Sequence, residues 1–417
     1  MNNIWLVTTS YGTYSDSHTI RLSNMLGKLD REKFRLTLIT PGPRPEHDIS
    51  DQIPRLDGVE FTNAPCAMRL INRLASVPLL GRRLAWVANN VAYRVLIPDQ
   101  FSGWHKMAQH SSRQLPEQPD FVISASGSPV AHLAASWIAR QGKAKWIADF
   151  GDPWHFIDKV NRPALGKRIE KLERQTVRDA DALIFTTRDT LQIYRDWLGK
   201  DAPAHMEVVP YGFDRDAIKA YPVRRHASPS IQFAHVGTAH TNDRNLTPFI
   251  RALADVQRSV EVQATGFLLA GQRSPAFDNQ VAHQSIANAV LHGKVAYKES
   301  LRLQAESDVL IIIGNFNGSQ IPGKVFICLA LELPILYVSQ AAPESDEALA
   351  LLKPHQGVVI ARNDEAELGL AIRHIVSNIQ VLKAGARERA NSKLVQEFES
   401  RSLAARVESV ISSLAQK

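Results

Sequence analysis

The sequence predicts an α/β protein built as two halves, each a parallel sheet covered by helices on both faces. Three observations carry this expectation. Short β-branched runs recur along the chain, stretches of helical periodicity separate them, and 417 residues are too many for a single hydrophobic core. Hydrophobic residues make up 44% and charged residues 22%, a balance that excludes disordered, collagen-like and disulfide-scaffold classes.

In the first half, runs at 4–9, 34–40, 121–124, 145–150 and 182–187 read as strands. Between them, 128–142 reads as a helix, with Ser128 as N-cap, Pro129 in the first turn and Gly142 as a stop. Its apolar positions Val130, Leu133, Ala134, Trp137 and Ile138 follow helical spacing, which leaves His132 off that stripe and facing the loops. The stretch 211–230 holds Pro222, Arg224, Arg225, His226 and Pro229 without apolar periodicity, and is expected to be a linker. A second alternation follows, with strands at 231–236, 266–270, 290–295, 309–313, 335–338 and 358–361. The expected layout is a first domain 1–210, the linker 211–230, a second domain 231–393 and a terminal helix 394–417 that could pack back on the first domain.

The longest apolar runs, such as 309–313, are far below the roughly 18 residues of a membrane span. The N-terminus lacks the pattern of a secretory signal and reads as a first strand, so a cytoplasmic location is expected. Cys66 and Cys328 have neither disulfide-framework nor metal-ligand spacing, which fits a reducing compartment. A net charge of +7 favours an anionic partner but does not choose between phosphate ligands and acidic lipid. Zinc-finger spacing and RNA-binding aromatic signatures are missing, so no nucleic-acid partner is expected.

In open α/β sheets, ligands bind beyond the carboxyl ends of the strands. The loops there contain Tyr11, Gly12 and His18, then Ser126 to His132, then Gly151 to Trp154. In the second half they contain Gly237 to Arg244, Gly271 to Arg273 and Asn315 to Lys324. The segment Gly318-Ser319-Gln320-Ile321-Pro322-Gly323-Lys324-Val325-Phe326 combines a turn, a helix entry and a cation. Such a terminus can hold a phosphate through backbone N–H groups, with Lys324 adding charge. The alternative is an exposed lysine beside an ordinary turn.

This segment resembles the donor-site motif Ile-Pro-Gly-Lys-Leu-Phe-Glu of retaining glycosyltransferases of family 4. Other pieces resemble the same family in the same order: Ile97-Pro98-Asp99 with Trp104, Ser128-Pro129 with His132, and Asp149-Phe150-Gly151-Asp152-Pro153-Trp154. Glu173 with Ala180-Asp181-Ala182, Val209-Pro210-Tyr211-Gly212-Phe213-Asp214, and Val236-Gly237-Thr238 with Arg244-Asn245 follow.

The resemblance implies a GT-B architecture of two Rossmann-like domains facing across a cleft, with a nucleotide-sugar as donor substrate and no further cofactor. It implies donor binding by Gly237, Thr238, Arg244, Gly271, Ser319, Gln320, Ile321, Pro322, Gly323 and Lys324. Arg244 and Lys324 would neutralise the leaving diphosphate without a metal. On the acceptor side it points to Asp152, His132 and Asp149 for work at the reacting centre, with Tyr11, Gly12 and His18 beside them. Asp152 also reads as a turn carboxylate bonding its own backbone.

Four departures from the family pattern stand out: Thr238 and Gly151 where an Arg is usual, and Ser319 and Ile327 where a Glu is usual. With Ile327 beside the ribose, the donor is expected to be held mainly through its diphosphate and base. The implied activity is hexosyl transfer to a glycan or lipid-linked acceptor in cell-envelope polysaccharide synthesis. A nucleotide-sugar epimerase and a catalytically inactive scaffold that binds other glycosyltransferases are the alternatives.

From Met68 to Lys106, six cations (Arg69, Arg73, Arg82, Arg83, Arg94 and Lys106) interleave with leucines, valines and Trp86 against the single acid Asp99. Such a segment either lies on an anionic membrane, peripherally on its inner face, or completes the core with its arginines solvated.

Overall fold

The structure, a computed structural model, describes residues 1–9, 17–41, 56–63, 66–78, 80–125, 127–154, 156, 163–223, 230–239, 245–259, 265–316, 318 and 320–416. It divides into two compact units, Met1–Pro210 with Leu403–Lys417, and Tyr211–Ser402.

The first unit is a seven-stranded sheet of β1 (Asn2–Thr8), β2 (Phe34–Pro41), β3 (Gly58–Thr62), β4 (Phe121–Ala125), β5 (Lys145–Phe150), β6 (Ala182–Phe185) and β7 (His205–Val208). The order is β3-β2-β1-β4-β5-β6-β7, and every pairing is parallel. Strands buried on both faces need continuous apolar runs, and β4 and β6 are buried throughout. Alternate residues feed two cores: Ile4, Leu6, Ile123 and Ile184 point to one face, and Trp5, Val7, Val122 and Leu183 to the other. On the first of these faces lies the helix Ser400–Ala415, which buries Leu403, Val407, Ile411 and Leu414 at helical spacing. Each of these side chains contributes about 1.5–3 kcal/mol of burial, enough to bring the end of the chain back to its first sheet.

The second unit contains β8 (Ile231–Val236), β9 (Thr265–Ala270), β10 (Ala289–His292), β11 (Val309–Ile313), β12 (Ile335–Ser339) and β13 (Val358–Arg362) in the order β10-β9-β8-β11-β12-β13, all parallel. In each sheet the order in which strands are added reverses once, between β1 and β4 and between β8 and β11, while the strands stay parallel. At such a switch point neighbouring loops diverge and leave a crevice at the carboxyl ends.

Several local expectations change. The stretch expected as a linker is folded into the second unit up to residue 223, and 224–229 lie outside the described residues. Phe213 is fully buried, its N–H donates to the Phe398 carbonyl (3.1 Å), and its own carbonyl accepts from Ser400 N–H (2.9 Å). A short helix, Arg215–Lys219, follows, capped by Asp214. The segment expected as one terminal helix from 394 is broken into Lys393–Gln396 and Ser400–Ala415. The helix expected from Ser128 begins at Val130, and the Ser128 hydroxyl accepts from Val130 N–H (3.2 Å). Strand β3, unforeseen, is half exposed and lacks a buried run.

In the second unit the guanidinium of Arg389, 2% exposed, donates to six carbonyls. These belong to Leu329 (3.1 Å), Gln356 (3.1 Å), Gly357 (3.3 Å), Cys328 (3.3 Å), Leu331 (2.7 Å) and Leu333 (2.7 Å). Four of them close the carboxyl end of the helix Lys324–Ala330, where carbonyls lack helical partners. Burial pulls the Arg389 pKa down to about 10, still protonated at neutral pH. Arg389→Met keeps the volume and removes every donor, so we expect it to lower the unfolding free energy by at least about 3 kcal/mol in urea titrations. A loss below about 1 kcal/mol would show that water replaces these donors readily.

Candidate functional site

In the first unit, polar groups gather at the carboxyl edge of the sheet near the switch point. His132 lies in the first turn of the helix Val130–Gly142 and is completely buried. The helix is covered almost all round, and Val130, Ala131, Ala134 and Ala135 are buried with it. The imidazole stacks on Phe150 at 4.4 Å, and Nδ1 lies 2.7 Å from the Ser124 hydroxyl. That hydroxyl accepts from the Trp146 indole N–H (2.8 Å), so its own proton goes to Nδ1 and the imidazole proton sits on Nε2. Burial lowers the His132 pKa to about 3, which makes the ring a neutral hydrogen-bond donor rather than a proton carrier.

Nε2 of His132, Oγ1 of Thr9, Oδ1 of Asp149 and Nε1 of Trp154 are all buried and have no hydrogen-bond partner among the described residues. All four follow or end β1, β4 and β5, the strands at the switch point. Buried polar atoms are nearly always paired, so four at one edge mark a place that accepts a polar ligand or loop.

Asp149 is bound more tightly than expected of a group at a reacting centre. Its Oδ2 forms a buried ion pair with Arg21, whose other amino group donates to the Val209 carbonyl (2.7 Å). The pair ties the helix Ser17–Leu26 to the end of the sheet, a positioning role that leaves only Oδ1 for anything else. Asp152 is half exposed, and its carboxylate lies 3.8 Å from His18 Nε2, so the structure brings these two expected residues together. The turn that carries Asp152 is braced from below. The Gly151 carbonyl accepts from the Thr186 hydroxyl (3.1 Å), Trp154 N–H donates to the Tyr194 hydroxyl (3.0 Å), and that hydroxyl donates to the buried Glu173. Tyr11 and Gly12 lie outside the described residues.

In the second unit the loops after β8 and β9 meet at two glycines. A Cβ on Gly271 (φ +158°) would stand 2.0 Å from the Gly237 carbonyl oxygen, and one on Gly237 (φ +149°) would stand 2.5 Å from Lys324 Nζ. Gly237 N–H donates to the Ala270 carbonyl (2.8 Å), which fixes the crossing. The Lys324 ammonium lies 3.3 Å from Nε2 of the buried His235. His235 Nδ1–H donates to the Ile311 carbonyl (3.1 Å), so Nε2 carries a lone pair and accepts from Lys324. The Thr238 carbonyl, 3.4 Å from the same Nε2, faces that lone pair and forms no bond in this tautomer.

The approach to Lys324 is shaped by its own loop. The Asn315 side-chain amide donates to the Gln320 carbonyl (3.0 Å), Val325 N–H donates to the Pro322 carbonyl (2.9 Å), and Gly323 packs where a Cβ would stand 2.7 Å from the Tyr211 ring. Ile321 lies against the apolar cluster that holds Val325 and Phe326. Ile327 is 8% exposed within that cluster. Its side chain is spent on packing against that cluster. Arg244 and Ser319 lie outside the described residues. Sequence reasoning missed His235, Arg21 and Tyr194. A lone histidine in the apolar run 231–236 was a readable signal for the first, and the other two had none.

Residues 19–212 match the family described as Glycosyl transferase 4-like domain. No curated protein matches the chain. Among solved structures, HepE of Anabaena in complex with UDP and glucose is similar with a TM-score of 0.65 at 13% identity, over 99% of this chain and 100% of that one. WaaG, a glycosyltransferase involved in lipopolysaccharide biosynthesis, gives 0.61 at 12% identity, over 97% and 99%. A putative UDP-N-acetylglucosamine 2-epimerase from Listeria monocytogenes gives 0.61 at 12% identity, over 100% and 97%. At such identities the likeness establishes the fold, and the two parallel sheets define a protein of the GT-B class. With the domain match, residues 19–212 form a glycosyl transferase 4-like domain in a chain of GT-B fold.

Two outcomes check this geometry. Both glycines hold a positive φ that strains alanine, but Gly271→Ala also drives a methyl into backbone, whereas the methyl of Gly237→Ala meets chiefly the flexible end of Lys324. Circular-dichroism melts should therefore show the larger loss for Gly271→Ala, and nucleotide titrations the cleaner loss of affinity for Gly237→Ala. Equal melting points would mean the crossing is looser than described. For His132, the unfolded ring takes up a proton near pH 6.5 that the folded ring refuses until about 3. Its contribution to stability is complete above 6.5 and is lost as pH falls toward 3, at up to about 1.4 kcal/mol per pH unit. Urea titrations at pH 7 and about pH 5 should show this decline in the parent and a shallower one in His132→Gln; parallel declines would place His132 in solvent.

Proposed function

We propose that the protein transfers a hexose from a nucleoside-diphosphate sugar to a glycan or lipid-linked acceptor of the cell envelope, in the cytoplasm, with retention and without a metal. The observation that carries this reading is the Lys324 ammonium held beside Gly237 by His235 at the carboxyl end of β8. A leaving nucleoside diphosphate develops negative charge, and a fixed cation among glycine turns stabilises it where a side chain would block approach. An ammonium has three donors, and giving one to a histidine lone pair orients the others without discharging the lysine. Gly271, Thr238 and the loop 318–323 line the donor side in this reading, and Arg244 would supply a second cation. HepE, with UDP and glucose, supports a uridine donor carrying a hexose, and WaaG supports a cell-envelope acceptor. On the acceptor side, neutral His132 serves as a donor to a sugar hydroxyl, while Asp152 and His18 orient the nucleophile.

The Listeria likeness keeps an epimerase in view, because the same fold carries both chemistries. The reactions part on products. A panel of nucleotide-sugars incubated with crude acceptor should release nucleoside diphosphate only when acceptor is present. Conversion of the donor sugar with no acceptor would make the protein an epimerase, and no binding of any donor would make it a scaffold. Lys324→Ala should weaken nucleoside-diphosphate binding by about 1.5–3 kcal/mol in calorimetry and leave the melting temperature nearly unchanged. An affinity equal to that of the parent would remove Lys324 from the phosphate site.

A further inference from the structure

The first sheet carries a cleft at its amino edge, the end opposite the polar groups of the switch point. It holds about 420 Å³ and runs from β3 across β2 and β1 to the turn at 115–117. Neighbouring strands lie about 4.8 Å apart, so three of them give it a length of roughly 10 Å. Asn3 is in register with Arg35, and Thr37 with Gly58, and these positions form the floor. Gly58 leaves that floor open, since a Cβ there would lie 3.4 Å over the Thr37 side chain and only a hydrogen is present. Val59 stands on one side, with Leu115 and Pro116 on the other.

Asn3 is the residue that asks for a ligand. It is 8% exposed, its main-chain N–H donates to Asp120 (2.7 Å), and its Nδ2 donates to the Gln118 carbonyl (3.1 Å). With Nδ2 held there, Oδ1 turns the other way, on the side where Asn3 lines the cleft. That oxygen is buried and has no hydrogen-bond partner among the described residues. A buried acceptor left alone is costly, so a ligand that donates to it is favoured.

Charge narrows the chemistry of that ligand. Arg35 is answered by Glu117 (2.6 Å), and Asp57 by Arg31 (3.3 Å) and by the Leu36 N–H (2.7 Å). The cleft therefore presents no uncompensated charge to an ammonium or a phosphate. A purely apolar ligand would fit Val59 and Leu115 but leave Asn3 Oδ1 unpaired. A sugar meets both demands, because its hydroxyls can bond Asn3, Thr37 and the paired charges while its C–H faces lie against the apolar sides. We propose that this cleft is a second carbohydrate site, which binds a neutral disaccharide segment. From Asn3 to Thr9 the chain takes six steps of about 3.3 Å, so the cleft lies roughly 20 Å from the groups at the carboxyl edge, and a sugar held here is not the one that reacts. Its use, to hold a length of glycan while the end is extended, rests on the glycosyltransferase reading above; the binding itself does not.

The test is calorimetric titration of the full chain with lactose, maltose, cellobiose and N,N′-diacetylchitobiose, and in parallel with a panel of nucleoside diphosphates. At least one disaccharide should bind the parent. Gly58→Leu fills the cleft, and its Cβ makes only ordinary contacts, so it should fold as the parent does, lose the disaccharide and keep the nucleotide. Asn3→Leu should weaken the disaccharide about fivefold, the loss expected for one neutral hydrogen bond; if far-UV circular dichroism shows this variant unfolded, Gly58→Leu alone decides. The proposal is overturned if no disaccharide binds the parent, or if Gly58→Leu binds it as the parent does, because the sugar then sits elsewhere. It is equally overturned if ethanolamine or inorganic phosphate displaces the sugar, since the cleft would then select charge. A parent that binds nucleotide but no disaccharide ends this inference and leaves the transferase reading standing, whereas one that binds disaccharide but no nucleotide ends the transferase reading and leaves the carbohydrate site.

Discussion

The donor-side geometry depends on one buried cation, Arg389. Six carbonyl oxygens converge on it, and four come from the end of the helix Lys324–Ala330 and the turn after it. Seven residues are too few for a helix to hold its own shape, so this one is stable because its termini are bound from outside. Arg389 satisfies the carboxyl end, and the loop bonds from Asn315 and Pro322 fix the amino end. Lys324 is therefore presented from a short, pinned rod. The unit uses its buried charge for positioning and leaves the chemistry to a lysine that remains partly open.

The first unit solves the same problem with opposite charges. Arg21 bridges the Asp149 carboxylate and the Val209 carbonyl, and so binds the first helix to strands on the far side of the switch point. Breaking either half would leave a buried charge alone, which is costly enough to keep both partners in place. Around this pair, hydrogen bonds set direction as well as energy. The Trp146 indole, the Ser124 hydroxyl and the His132 ring form a chain in which each proton has one place to go. His235 does the reverse in the second unit, because the Ile311 carbonyl takes its Nδ1 proton and turns Nε2 toward Lys324. One histidine ends as a donor and the other as an acceptor, and only the partner of the second nitrogen decides which.

Much of this was legible in the sequence. The β-branched runs became strands with small shifts because parallel strands covered on both faces have no choice but to be apolar. The glycines at 237 and 271 and the lysine at 324 announced a tight, cationic loop cluster, since close backbone approach excludes other residues. Periodicity failed where burial is complete. His132 lies off the apolar stripe and reads as facing the loops, yet its helix is packed nearly all round and the side chains beside it are mostly alanine. Ile327 stands in the motif where a polar residue is usual, and its side chain packs in an apolar cluster.

The sequence by itself determined the layering, the polarity of the carboxyl-end loops and the basic, apolar-rich character of 68–106, because each is a property of residues near one another in the chain. Only the tertiary structure decided the roles of Arg21, Arg389 and His235, which act on groups 32 or more residues away. A buried ion pair or a tautomer is set by a partner brought close in space, and local pattern holds no record of that partner until the sheets are assembled.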